Sequence, residues 1–257
     1  MNSSARPAFA ALAISIRTNW RMKAALTVAL TTLFSIPYFT LQHLLLFPVR
    51  TLPVTTIDRT IGFDPSWVWV YQSVYLLLVL VPWMAAKREE LKYYATGFIV
   101  LCTIGFLCFF LMPVRGPRPD SDVTNPMFRL LVWYDRPLNC FPSLHVGLAV
   151  YTMLVAAHIL DTGALQTRTP ILSFGWLWTA LVAYAAVATK QHYAVDLAAG
   201  VLLACGCHLS TWHFAQRSMA HAETPMGVSR TSLLSLVGNH DRGGAADASL
   251  FDRSRRR

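Results

Sequence analysis

Six stretches of the chain run for twenty residues or more without a charged side chain: Ala24 to Val49, Pro65 to Ala86, Tyr93 to Val114, Pro137 to Leu160, Thr169 to Thr189 and Leu197 to Gln216. A helix rises 1.5 Å per residue, so roughly 20 apolar residues cross a hydrocarbon core about 30 Å thick. Each stretch is therefore long enough for one crossing. Lipid offers the backbone no hydrogen-bond partners, so such runs must be helical rather than open sheet. The pattern predicts an all-α, polytopic membrane protein with six transmembrane helices in one bundle. A very hydrophobic soluble bundle fits poorly, because ordinary core helices average about 11 to 12 residues. Trp20, Trp67, Trp69, Trp83, Tyr93, Tyr94 and Trp212 fall near span edges, where amphipathic rings settle at headgroup depth. Pro37 and Pro82 lie within runs and are tolerable there, since neighbouring helices satisfy the freed carbonyls.

Three segments follow from this reading. Residues 1–22 hold a short apolar stretch, Phe9 to Ile16, ahead of Arg17, Arg21 and Lys23, and are expected to be a retained interfacial segment rather than a cleaved signal. Residues 23–216 form the membrane domain. Residues 217–257, rich in Arg, Ser, Gly, Asp and His and ending in Arg253-Ser254-Arg255-Arg256-Arg257, read as a disordered basic tail.

Composition agrees: 54% of positions are hydrophobic and 14% charged, against about 25% charged in soluble domains, which excludes an ordinary water-soluble enzyme. The formal charge of +9 would suggest nucleic acid on a soluble protein, but its distribution points to membrane topology, and no nucleic-acid partner is expected. With both termini on one side, that side carries fifteen Lys and Arg and the other seven. Cytoplasmic segments are enriched in these residues, so the termini are expected inside an inner cell membrane and loops one, three and five outside. The third loop breaks the rule with Arg115, Arg118, Arg129 and Arg136, an excess that points to an anion site. The five cysteines suggest neither a disulfide nor a metal finger; all but Cys140 sit in apolar runs as small hydrophobes.

Three polar segments stand at the ends of spans three to six, and counting crossings places them on one side. The first is Arg115-Gly116-Pro117-Arg118-Pro119. The second, Pro142-Ser143-Leu144-His145, has the residues that open a helix. The third, Lys190-Gln191-His192-Tyr193-Ala194-Val195-Asp196, sets a histidine and a carboxylate four apart, on one helical face. Together they offer arginines and a helix N-terminus for a phosphate, two histidines for proton transfer or attack on phosphorus, and an aspartate to fix an imidazole tautomer.

These residues resemble the type-2 phosphatidic acid phosphatase superfamily, which also includes vanadium haloperoxidases and bacterial acid phosphatases. Its signatures are Lys, six residues, Arg-Pro; Pro-Ser-Gly-His; and Ser-Arg, five residues, His, three residues, Asp. Arg118-Pro119 matches the first, with Leu111 at the lysine position. Pro142-Ser143-Leu144-His145 matches the second with leucine for glycine, and His192 and Asp196 match the third, with Ala186 at the arginine position. The stretch Asp135 to His145 with Lys190 to Tyr193 looks most like the inositolphosphotransferase-like branch. The resemblance implies His192 as nucleophile, Asp196 as its orienting partner and His145 as acid and base. It implies phosphate binding by Arg118 and Ser143, with Arg115, Arg136 and Lys190 as substitutes for the missing cations. It implies no cofactor and no metal.

The expected function is thus a multi-pass membrane enzyme that transfers phosphoryl from a lipid phosphate, such as phosphatidic acid, a prenyl diphosphate or a phospholipid headgroup, through a phosphohistidine. The acceptor is water or an alcohol, and the site lies at the extracytoplasmic face. Two other classes remain: a zinc hydrolase with His145, His192 and Asp196 as ligands, and a transporter or anion-binding scaffold. His43, His158, His208 and His213 read as packing residues.

Overall fold

A computed structural model describes residues 13–119, 123–161 and 168–222, the side chains of 168 and 213–222 excepted. The expected stretch Phe9 to Ile16 is described only from residue 13, and Asp120, Asp122 and the tail beyond residue 222 lie outside the described residues. The membrane bundle belongs to the first of two units into which the chain divides after His213.

In chain order the elements are α1 (Trp20–Leu41), β1 (Arg50–Thr51), α2 (Thr56–Thr60), a 3-10 turn (Pro65–Trp67), α3 (Val68–Gln72), α4 (Val74–Met84), α5 (Arg88–Leu111), β2 (Val114–Arg115), α6 (Pro126–Tyr134), α7 (Leu144–Asp161), α8 (Arg168–Ala188) and α9 (Ala194–Ala222). Among the described residues, six helical stretches are long and apolar enough to cross a membrane: Trp20–Leu41, Pro65–Met84, Arg88–Leu111, Leu144–Asp161, Thr169–Ala188 and Ala194–Trp212. The six expected spans are present, with shifted edges. The first helix stops at Leu41, where the His43 and Leu44 N–H groups turn back onto the Thr40 carbonyl. The third begins earlier, at Arg88, because Glu90 accepts from the Ala86 and Lys87 N–H groups and so caps it. The fourth begins at Leu144 rather than Pro137, since residues 137–143 are a buried loop and not a helical turn.

The α7 helix is the centre of the bundle. Thirteen of its eighteen residues are buried, against α4, α5 and α8, whereas α1 buries only Lys23 and Leu30 and leans on α5. At one end of the bundle a two-residue parallel ladder pairs Arg50 with Val114 and Thr51 with Arg115, and Val114 bridges further to Asn139. The Gly116 N–H donates to the Pro137 carbonyl at 2.8 Å. This small ladder ties the exits of spans one and three to the entry of span four. It draws three distant loops over the starts of α7 and α9.

Candidate active site

The α7 and α9 helices cross at their first turns with almost no side chain between them. A Cβ on Gly200 would lie 2.3 Å from the Ser143 carbonyl oxygen, and one on Gly147 would lie 3.0 Å from the Gly200 carbonyl oxygen. Glycine at both positions lets the backbones touch, so the Ser143 N–H reaches the Asp196 carbonyl at 3.0 Å. The Ser143 hydroxyl accepts from the Val146 N–H at 3.3 Å and caps α7. His145 and Asp196 are thereby held close on adjoining helices.

His192 arrives on the tight turn between α8 and α9. The Gln191 and His192 N–H groups both donate to the Ala186 carbonyl, and Lys190 takes a left-handed φ of 53°. Its ammonium donates to the Asp58 carbonyl at 2.7 Å and the Ile61 carbonyl at 2.6 Å. The Asp58 carboxylate in turn accepts from the Ala194 N–H, the first of α9, at 2.8 Å. Burial pushes Asp58 up, but bonds from Thr55 and Ala194 and the Lys190 charge outweigh it, and its pKa is lowered overall.

His192 Nδ1 stands 3.2 Å from Asp196 Oδ2, and Asp196 is fully buried. A carboxylate there keeps the proton on Nδ1 and leaves Nε2 with its lone pair. The Cys140 thiol points at the same oxygen, 2.6 Å from Asp196 Oδ2 and 3.6 Å from His192 Nδ1. Burial, then the adjacent Asp196, raises the Cys140 pKa well above its usual value, so it faces the carboxylate as a neutral donor. Asp196 Oδ1 is buried with no partner among the described residues.

The His145 ring centroid lies 6.5 Å from that of His192. Its Nε2 donates to the Tyr71 carbonyl at 2.7 Å, and its ring stacks on Tyr71 at 3.9 Å and 5°. Arg118 supplies the cation beside them. It donates to the Asp135 carbonyl at 2.6 Å and to Asp135 Oδ2 at 3.2 Å, and bonds Gln191 Oε1, while its Nε is buried without a partner among the described residues. Asp135 Oδ1 accepts from Tyr38 at 2.9 Å and Gln42 at 2.6 Å. Burial raises the Asp135 pKa, with Arg118 and the two donors opposing it.

The residues chosen from sequence thus divide. His145, His192, Asp196, Ser143 and Arg118 meet at one end of the bundle. Arg115 and Arg136 are exposed nearby, and Lys190 is turned onto loop carbonyls. Asp135 partners Arg118. The suggested zinc triad does not form: the candidate metal-ligating group among the described residues is Cys140, His192 and Asp196, with His145 bound elsewhere. Nothing in the sequence singled out Cys140, Tyr71 or Asp58 for the site, because their contacts span 52 to 136 residues.

His145, His192 and Asp135 open onto a cavity of about 390 Å³. Its walls include Leu30, Phe34, Val74, Leu78, Phe98 and Leu148, with Lys23 also on the lining. Lys23 and Tyr38 are fifteen residues apart on α1, so the cavity follows the helix for roughly 22 Å. A polar head with two imidazoles therefore continues into an apolar slot. No curated relative matches the chain. A family model described as the PAP2 superfamily matches residues 38–210, from the tyrosine that holds Asp135 to a little past the middle of α9. With its histidine pair and Arg118 inside that match, the chain belongs to the PAP2 superfamily, and its chemistry is of the phosphatase type.

Proposed function

We propose that this protein transfers phosphoryl groups from a lipid phosphate through a phosphohistidine on His192. The observation that carries this reading is the pair of imidazoles, 6.5 Å apart, at the polar head of an apolar cavity. Nε2 of His192 attacks phosphorus, and the bond from phosphorus to the lipid oxygen breaks. His145 protonates that oxygen, after its ring leaves the Tyr71 carbonyl or through Nδ1. It then takes a proton from the acceptor, whose oxygen attacks phosphorus and releases His192. Asp196 holds Nδ1–H throughout. Acid–base help of this kind is worth about 10² to 10⁴ in rate. Arg118 and the first turn of α7 balance charge on the phosphoryl oxygens, with Arg115 and Arg136 at the rim drawing the anion in. Every role falls to a side chain or backbone group of the chain itself.

Water is the acceptor we favour, giving a phosphatase. The stretch Asp135 to His145 supports the inositolphosphotransferase-like alternative, in which an alcohol takes water's place. We place the site at the extracytoplasmic face of the inner membrane, with the termini cytoplasmic, on the Lys and Arg distribution. The deciding experiment incubates purified protein with a radiolabelled prenyl diphosphate or phosphatidic acid and quenches early. Acid-labile, base-stable label on His192, absent in His192→Ala, is the expected result. Released phosphate then marks hydrolysis, and a new lipid in the presence of an alcohol marks transfer. No phosphoenzyme and no turnover with any of these lipids would overturn the reading and leave anion binding or transport.

A further inference from the structure

The thiol of Cys140 has no part in the phosphoryl transfer, yet it sits against both His192 and Asp196. Cys140, His192 and Asp196 are all buried, and each offers one ligand atom, the three lying within 4.8 Å of one another. Tetrahedral zinc, with bonds of about 2.0 to 2.3 Å, spaces its ligand atoms roughly 3.3 to 3.8 Å apart. The 3.6 Å from Sγ to Nδ1 falls inside that range, and the 3.2 Å from Nδ1 to Oδ2 lies just under its lower edge. The 2.6 Å from Sγ to Oδ2 is too short. Relieving it needs Sγ and Oδ2 to part by under about 1 Å, and Asp196 Oδ1 has no partner among the described residues to hold the carboxylate in place.

We propose that Cys140, His192 and Asp196 form an inhibitory site for a borderline-soft divalent cation, with zinc the best match. Thiolate and imidazole select zinc over magnesium or calcium, which take oxygen ligands. Water entering from the cavity takes the fourth position. Binding exchanges the thiol proton of Cys140 for the metal and releases it to solvent. The metal occupies Nδ1 of His192, so the ring proton moves to Nε2. A neutral imidazole with Nε2–H has no lone pair there to attack phosphorus. Occupancy therefore silences the nucleophile from the side of its ring that faces Asp196. That consequence rests on the phosphohistidine reading; the metal site itself does not.

The test uses the full chain in detergent, stripped with chelator and titrated with cobalt(II) as a spectroscopic stand-in for zinc. A near-ultraviolet thiolate-to-cobalt charge-transfer band is expected, saturating at one equivalent and displaced by zinc. Cys140→Ser should lose the band and weaken zinc retention at least about tenfold, as loss of a ligand-sphere residue does. A variant keeping Cys140 but with Cys102, Cys108, Cys205 and Cys207 changed to alanine should retain both. It guards against a Cys140→Ser protein that merely misfolds. The proposal is overturned if wild-type protein shows no thiolate band, or if the band disappears in the variant that keeps only Cys140. Because the readout is optical, a protein that binds cobalt here but shows no phosphoenzyme refutes the proposed function alone. One that turns over lipid phosphate unaffected by zinc, with no band, refutes the metal site alone.

Discussion

Replacing Gly200 by alanine is a minimal change that moves His145 and His192, the histidines proposed to carry the chemistry, relative to one another. The new Cβ would sit 2.3 Å from the Ser143 carbonyl oxygen, 3.2 Å from its carbon and 3.3 Å from the Gly147 nitrogen. The carbonyl cannot swing aside, because it accepts the Gly147 N–H at 2.9 Å in the first turn of α7. Relief needs about 0.7 to 1.1 Å of separation between α7 and α9 to restore an ordinary contact. His145 rides on α7, while His192 and Asp196 ride on the start of α9, so the imidazoles part by a similar distance. A misplacement of about 1 Å typically costs about 10²-fold in rate, and overpacking costs about 1 to 3 kcal/mol of stability.

The assay is kcat/KM on a dispersed lipid phosphate, with thermal unfolding in the same detergent. Gly206→Ala is the control on the same helix, since a Cβ there meets nothing within 4 Å. Gly206→Ala should leave turnover unchanged and gain up to about 1 kcal/mol from helix propensity. Gly200→Ala should lose about 10²-fold in kcat while staying folded at the assay temperature. Activity of Gly200→Ala within about threefold of wild type would show that the contact between these helices does not set the catalytic geometry, since a misplaced pair could not sustain that rate.

Asp196→Asn keeps the shape but removes the charge that holds Nδ1–H, and should lower kcat by about 10² to 10⁴ with little change in KM; a change confined to KM would remove Asp196 from the orienting role. Leu78→Trp fills the middle of the cavity and should raise KM for a long-chain phosphate while sparing a short soluble phosphate ester, measured side by side. Equal effects on both would mean that chains do not lie in this slot. Asp58 has a lowered pKa in the fold, so its contribution to stability is present above the unfolded value near 3.9 and is lost as pH falls through the lower folded value. Asp58→Asn should therefore cost about 1.5 to 3 kcal/mol at neutral pH, the worth of bonds to a charged acceptor. The gap to wild type should close in strong acid, as followed by thermal shift across pH; a constant gap would deny the linkage.

The spans were legible because charge is so costly in hydrocarbon that little besides a membrane crossing keeps twenty successive residues free of it. Their edges were less so. An uncharged run does not distinguish a lipid-crossing turn from a buried loop, and Pro137 to Ser143 is the second, packed under the site with Cys140 and Ser143 almost fully covered. The four-residue spacing brought His192 and Asp196 together as the sequence suggested, although His192 stands on the turn before α9 rather than on the helix. Cys140 was not, since its contact with Asp196 joins residues 56 apart through a loop whose path depends on the β1–β2 ladder. Of the four basic candidates only Arg118 had a signature match, and the sequence left Arg115, Arg136 and Lys190 as interchangeable substitutes. Geometry separates them, because only Arg118 is buried beside the histidines with its partners, and Lys190 is tied to loop carbonyls.

Arg118 also shows how an apolar bundle holds a buried cation. An unpaired buried guanidinium would be strongly destabilising, and Asp135 neutralises it. Tyr38 and Gln42 hold the other oxygen of Asp135, which fixes the carboxylate while leaving Arg118 able to exchange one acceptor for another. On the proposed reading a phosphate competes with Asp135 for the guanidinium, and weak product binding is the expected consequence. Asp135→Asn removes the competing charge and sets either an amide oxygen or an amide donor against Arg118. Inorganic phosphate should inhibit this variant several-fold more tightly than wild type, while the protein loses about 3 kcal/mol or more from the broken buried pair. Weaker inhibition by phosphate in a folded Asp135→Asn protein would mean that the carboxylate aims Arg118 at the substrate rather than restraining it.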